Sequence, residues 1–264
     1  MINIRNYVRP QSLEEAYQLN QKRGSRILAG MLWTKMESGS IGTAIDLCGL
    51  GLDAIQEDDS RFTLGAMATL RQLEQHPGLQ AYTQGALGRA VRDIVGVQFR
   101  NMATVGGSLW GRFGFSDVLT VLLAMDTDVE LYKGGLVPLE QFAAMPYDRD
   151  LLVRAVIRKT PGTFAYQAMR VQRTDLPVLT CAFSHIGGEY RAVIGARPGR
   201  AMVLRDQEGL LAGGITPDSA RAFAEWAARH TPTGSNVRGS AAYRTHLVKV
   251  LVRRAALEVG GIQE

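Results

Sequence analysis

The residues best suited to chemistry lie in one stretch, Gln98-Phe99-Arg100-Asn101-Met102-Ala103-Thr104-Val105-Gly106-Gly107-Ser108-Leu109. Two adjacent glycines stand between two hydroxyl residues, just after a helix-like segment. Without a Cβ at Gly106 or Gly107, main-chain N–H groups can come close to a ligand. Successive N–H groups form a concavity for anions, and Thr104 and Ser108 add hydroxyl donors. The pattern predicts a loop for a phosphate or diphosphate. Taken as a bare Gly-Gly pair, it reads as a plain turn.

Other constellations carry less. Cys48 and Cys181 are far apart in apolar surroundings. Without a Cys-x-x-Cys pair they build neither an iron–sulfur nor a zinc ligand set, and they read as reduced core thiols. His76, His185, His230 and His246 are scattered, with no metal-ligand spacing. Gly49-Leu50-Gly51-Leu52-Asp53-Ala54 spells G-x-G-x-x-A. A dinucleotide fingerprint must open a helix within a βαβ unit. Here the chain runs straight into another strand candidate, so the segment reads as a loop.

The 264-residue chain is 46% hydrophobic and 21% charged, ordinary for a soluble globular protein. No apolar run approaches the ~18 residues of a membrane span. The opening Met1-Ile2-Asn3-Ile4-Arg5 lacks a secretory apolar core. The expectation is a cytoplasmic protein. A net charge of +5 is spread without a Lys/Arg block. That speaks against nucleic-acid binding and suits a solvated surface or an acidic cofactor.

The elements that must position the glycine stretch follow from caps and periodicity. Ser12-Leu13-Glu14-Glu15 is a capping box for a helix toward Gln21, and Thr69-Leu70-Arg71-Gln72 is a second, for a short helix closed by Pro77. Leu87, Ala90, Val91 and Ile94 fall at helical spacing, with Gly96 as the stop. Asp117 is expected to cap a buried helix over 118–125. Strands are expected over 26–30, 43–47, 61–64, 128–132, 151–157, 165–169, 178–184 and 190–194. Helices are expected over 217–229 and 240–259, the latter with Tyr243, Leu247, Val250 and Leu251 on one face. Arg253 and Arg254 near its end suit the helix dipole or a solvated basic face. Thr160-Pro161-Gly162-Thr163 is the expected domain boundary.

Four segments together resemble one family. Arg100 to Leu109, RNMATVGGSL, resembles the second FAD-binding motif of the flavoprotein subunits of molybdenum hydroxylases, the xanthine dehydrogenase and carbon monoxide dehydrogenase type. Leu64 to Leu70, LGAMATL, resembles the family's IGA-x-T-x-L segment. Ser116-Asp117 with the apolar run to Asp126 resembles its SD…LLALDA, and Val237 to Arg244, VRGSAAYR, its C-terminal D-x-RGSAEYR. Order and spacing match over nearly the whole chain.

The resemblance implies FAD as cofactor and a set of contacts. Ala29, Gly30, Met31, Leu32, Trp33 and Thr34 stand at the first FAD loop, typically AGGTDL. Arg100 and Asn101 lead into the second, where Thr104, Val105, Gly106, Gly107 and Ser108 wrap the diphosphate. Asp117 matches an acid that contacts the cofactor, Leu64 a position at the adenine end and Leu152 a main-chain contact near the ring system. Gln167 lies in a segment, 166–175, that runs near the flavin and often carries a Lys or Arg; Arg170 or Arg173 is the candidate replacement charge. Met31 replaces the first loop's second glycine, and Leu32 and Trp33 replace its hydroxyl and acid. Losing one hydrogen bond to a charged group costs about 1.5–3 kcal/mol, though Trp33 has a face to stack on an aromatic ring.

The expected architecture is α+β: a two-lobed FAD-binding domain of the PCMH type over residues 1–162, then a smaller α+β domain with an antiparallel sheet over 163–264. Two functions stand. One is an electron-transfer subunit that takes electrons from a partner's iron–sulfur clusters through FAD to NAD+ or another acceptor, beside a molybdopterin subunit. The other is an assembly subunit with weakened or lost FAD binding. A third, sister reading is an FAD-linked carbohydrate or peptidoglycan-precursor oxidoreductase, which would bind substrate itself. No side chain is assigned a catalytic role, since a flavin does its own redox chemistry.

Overall fold

The computed structural model describes residues 2–263 and is α+β throughout. The chain opens with β1 (Ile2–Val8), α1 (Leu13–Gln21), β2 (Ser25–Leu28), a 3₁₀ turn (Thr34–Met36), β3 (Gly39–Asp46), β4 (Ile55–Glu57) and β5 (Arg61–Gly65). Six short helices follow: α2 (Leu70–Gln75), α3 (Pro77–Tyr82), α4 (Ala86–Arg92), α5 (Val97–Arg100), α6 (Val105–Trp110) and α7 (Asp117–Leu123). Next come β6 (Thr127–Leu131), β7 (Gly135–Pro138), α8 (Leu139–Ala144) and β8 (Leu152–Arg158). The last part holds β9 (Gly162–Met169), β10 (Leu179–Ile186), β11 (Glu189–Gly195), β12 (Met202–Arg205), α9 (Pro217–His230) and α10 (Ala241–Val259). No helix among the described residues is long and apolar enough to cross a membrane.

The chain contributes to two compact units in alternation. One gathers Met1–Gln72, Val97–Gly111 and Thr127–Ile157; the other gathers Leu73–Gly96, Arg112–Asp126 and Arg158–Glu264. The first unit holds two sheets. In the smaller, order β1-β3-β2, both pairings are parallel. Helix α1 lies on the connection from β1 to β2, between which β3 is inserted, and it sets Ala16 beside Ile45 and Leu47. The larger has the order β4-β5-β8-β6-β7, with antiparallel pairing at β4/β5, β6/β8 and β6/β7.

The second unit is an antiparallel meander, β12-β11-β10-β9. Strand β10 is buried on both faces over Leu179 to Ser184. Cys181 and Phe183 join the core with Phe223, Trp226, Leu251 and Val252 of α9 and α10. Thr180 and Ser184, on the alternate positions, reach α7: the Thr180 and Thr120 hydroxyls lie 3.3 Å apart, and Ser184 Oγ donates to the Ala124 carbonyl at 2.7 Å.

Caps behave as their chemistry requires. Ser12 Oγ accepts from Glu15 N at 3.1 Å, while the Glu15 carboxylate reaches Gln11 N, one residue before the cap. Thr69 and Gln72 are fully reciprocal. The Gly49–Ala54 segment is the expected loop, with Gly49 and Gly51 at positive φ, and it runs into β4.

Helix α2 ends at Gln75, before Pro77, as expected, and Pro77 in turn opens α3, where its missing N–H costs nothing. Several other expectations fail for local reasons. Helix α4 ends at Asp93, before Gly96, and Val95 takes the left-handed conformation. Ser116, rather than Asp117, caps α7, through Leu119 N at 3.1 Å. Cys48 is exposed; only Cys181 is a core thiol. Strands β1, β7 and β12 and helix α8 were not expected, being short or weakly alternating. On α10, Tyr243 is exposed and the inward stripe is Arg244, Leu247, Val248, Leu251 and Val252. Arg253 and Arg254 lie on the exposed face.

Arg244 is 1% exposed, the largest side chain so deeply buried. Its guanidinium donates to the carbonyls of Val178, Gly234 and Gly239 and to Asn236 Oδ1. It thereby ties the RGSAAYR turn to the start of β10. Arg244→Met leaves these acceptors unpaired in the interior, and urea unfolding should show a loss of about 3 kcal/mol or more.

Candidate functional site

Gly106 and Gly107 do not form a bend. They occupy the first turn of α6, whose N-cap is Thr104. Neither has positive φ. The Thr104 hydroxyl accepts from Gly107 N at 3.1 Å, and Ser108 N donates to the Thr104 carbonyl at 3.1 Å. Val105 N donates to the Ala68 carbonyl and Gly106 N to the Ala66 carbonyl, both at 2.8 Å. Leu70 N donates back to the Ala103 carbonyl at 2.8 Å. The main-chain N–H groups of 105–108 are thus all committed within the protein. The segment LGAMATL supplies two of their acceptors, which accounts physically for the pairing of the two motifs.

Gly106 is needed for packing: a Cβ there would lie 2.7 Å from the Ala66 carbonyl oxygen and 2.9 Å from its Cβ. Gly107 is exposed, and a Cβ on it would come 3.7 Å from that of Ala29. The first loop therefore lies against the first turn of α6. Gly30 seals that contact, since a Cβ there would overlap the Met102 carbonyl.

Among the described residues, the N–H groups of Gly30, Met31 and Leu32 in the first loop have no hydrogen-bond acceptor. Met31 adopts φ +57, the left-handed region open to glycine. Trp33 is 42% exposed and precedes the 3₁₀ turn that begins at Thr34. Sequence reasoning placed the anion donors in the second loop; the uncommitted donors are in the first. The acceptor carbonyls of Ala66 and Ala68 escaped it, because main-chain acceptors leave no trace in residue type.

The remaining expected residues divide between the units. Arg100, at the end of α5, is buried, and Asn101 is exposed. Leu64 on β5 and Leu152 on β8 are buried core residues. Asp117 and Gln167 belong to the second unit. The Asp117 carboxylate accepts from the Tyr166 hydroxyl and, at 2.6 Å, from Arg170 Nη2. Both side chains of this ion pair are nearly inaccessible. Burial pushes Asp117 up to about 6, against the Arg170 charge and the Tyr166 hydrogen bond. Burial, with Asp117 beside it, pushes Tyr166 well above the usual phenol range. Arg170 is therefore held inward, and Arg173 is exposed and paired with Asp93 at 2.9 Å. Gln167 Nε2 donates to Glu258 at 2.8 Å, on the wall of a cavity of about 430 Å³ that Arg89, Arg92 and Arg173 also line.

The family model for the FAD binding domain in molybdopterin dehydrogenase matches residues 2–160. The chain belongs to this family, the FAD-binding subunits of molybdenum hydroxylases. A second model, the CO dehydrogenase flavoprotein C-terminal domain, matches residues 164–259. The nicotine 6-hydroxylase medium subunit of Paenarthrobacter nicotinovorans is 27% identical, over 96% of each chain. The uncharacterized protein YgfM of Escherichia coli K12 is 28% identical, over 94% of each. Among solved structures, a carbon monoxide dehydrogenase from Hydrogenophaga pseudoflava superposes with a TM-score of 0.85 at 23% identity, covering 97% of this chain and 96% of that one. That likeness is one of fold. The family's members are oxidoreductase subunits, and its cofactor is FAD.

Two measurements follow. Gly30→Ala forces the first loop off the Met102 carbonyl, and thermal or urea unfolding should register about 1–3 kcal/mol of overpacking. For Asp117, the folded carboxyl keeps its proton up to about 6, whereas its ordinary value is 3.8. The folded state thus binds more protons in that window, so this group's contribution to stability falls as pH rises through it and is level above. Asp117→Asn removes that slope. It also leaves Arg170 buried without its carboxylate, at a cost of about 3 kcal/mol at neutral pH. Urea unfolding of both proteins between pH 4 and 8 reads both effects.

Proposed function

We propose that this subunit holds FAD on the two loops of its first unit and relays electrons from iron–sulfur clusters of a partner subunit to NAD+ or another acceptor. The observation that carries the reading is the seam between the first loop and the start of α6, where Gly30 lies on the Met102 carbonyl and Gly107 faces Ala29. Residues 1–162 serve the cofactor in this reading, and 163–264 form the smaller domain.

The residues present fit the group. The N–H groups of Gly30, Met31 and Leu32 are uncommitted donors beside a bare Gly107, and together they suit a diphosphate. Ser108 and the Thr104 cap shape the far wall, with Val105 and Gly106 as its anchored base. Arg100 and Asn101 set the lead-in, and Leu64 and Leu152, being buried, contribute main chain. Trp33 offers an exposed aromatic face. Asp117 fixes Tyr166 and Arg170 within the second unit, and Gln167 belongs to that unit's cavity wall. The redox chemistry is the flavin's; the chain supplies position and electrostatics.

The altered first loop had favoured an assembly subunit without FAD. Met31 adopts a left-handed main chain open to glycine, which supports a loop that still presents its N–H groups to the cofactor. Partners in the proposal are an iron–sulfur subunit and a molybdopterin subunit, in line with the medium-subunit naming of the nicotine 6-hydroxylase relative.

The purified chain should absorb at about 450 nm, or take up added FAD to saturation, and should reduce dyes with NADH. It should not hydroxylate a purine or an aldehyde unaided. A colourless chain that takes up no FAD removes the binding claim. Hydroxylation by the lone chain removes the division of labour.

A further inference from the structure

Met31 is the residue at which this chain departs from the glycine of the first-loop pattern, and its surroundings give it a task. Its φ of +57 disfavours any residue with a Cβ. Such a conformation persists only where neighbours over-determine it. Three contacts do so. The side chain packs, with Ile2 and Ile4, on the cluster of Leu28, Ile41 and Ala44 over the β1-β3-β2 sheet. The Met31 carbonyl accepts from Lys35 N at 3.0 Å, starting the turn that follows. Gly30, just before it, abuts the Met102 carbonyl. A glycine would reach this conformation without strain but would have no side chain to seat on the sheet.

We propose that Met31 is a positioning residue: by anchoring the first loop to the β1-β3-β2 sheet it holds the N–H groups of 30–32 ready for the flavin's diphosphate before FAD arrives. The proposal rests on the reading of this loop as the FAD site. Its physical content is that ordering the loop beforehand lowers the entropy lost on binding. The side chain acts through the main chain, without itself touching the anion.

The test uses the full chain and three variants: Met31→Ala, Met31→Gly and Met31→Leu. Amide hydrogen exchange over residues 29–36 is measured without FAD, and FAD affinity by titration. Met31→Ala keeps the unfavourable φ and loses the anchor; exchange over 29–36 should quicken about tenfold while β10 and β11 are unchanged. FAD should then bind about tenfold more weakly. Met31→Leu, which restores an apolar side chain of similar size, should recover both to within about threefold. Met31→Gly should exchange faster than the parent, since it lacks the anchor. Parent-like exchange in Met31→Ala overturns the anchor whatever FAD does. Faster exchange with unchanged FAD affinity overturns the positioning role. If the parent chain binds no FAD at all, the reading of the loop fails, and the exchange data still decide the anchor separately.

Discussion

Main chain against main chain, at distances only glycine permits, is the constraint on which the first unit depends. Gly30 lies on the Met102 carbonyl, Gly65 on the Leu52 carbonyl and Gly106 on the Ala66 carbonyl. Each contact joins segments far apart in sequence, and each would be broken by one methyl group. Gly107 is different: it is exposed, and what its missing Cβ leaves open is space next to Ala29. Three of these glycines build the scaffold, and the fourth leaves room on it.

Hydrogen-bond commitment sorts the two loops by role. Buried main-chain donors are nearly always paired, and those of 105–108 are paired to Ala66, Ala68 and Thr104. They make the second loop a rigid wall. Among the described residues the N–H groups of 30–32, unlike those of 105–108, have no hydrogen-bond acceptor. Met31 seats its side chain on the sheet cluster.

The second unit buries its charges to hold segments together. Asp117, Tyr166 and Arg170 join the start of α7 to β9, and Arg244 joins α10 to three carbonyls and Asn236. Arginine suits the second task because its planar fork serves several acceptors at once. Breaking such a group from one side strands the other in low dielectric.

Caps and periodicity were legible in the chain itself: Ser12 and Thr69 start their helices, the meander strands fall near their expected places, and Gly49–Ala54 is a loop. These follow from local sterics and short-range hydrogen bonds, which residue type encodes directly. What tertiary structure alone decided is which donors and charges remain available. That Gly106 N faces Ala66, that Arg170 turns in to Asp117 and that Met31 lies on Ile41 and Ala44 depends on partners distant in the sequence. Residue type names a hydrogen bond's donor or a side chain's apolarity; only folding supplies the partner that uses it.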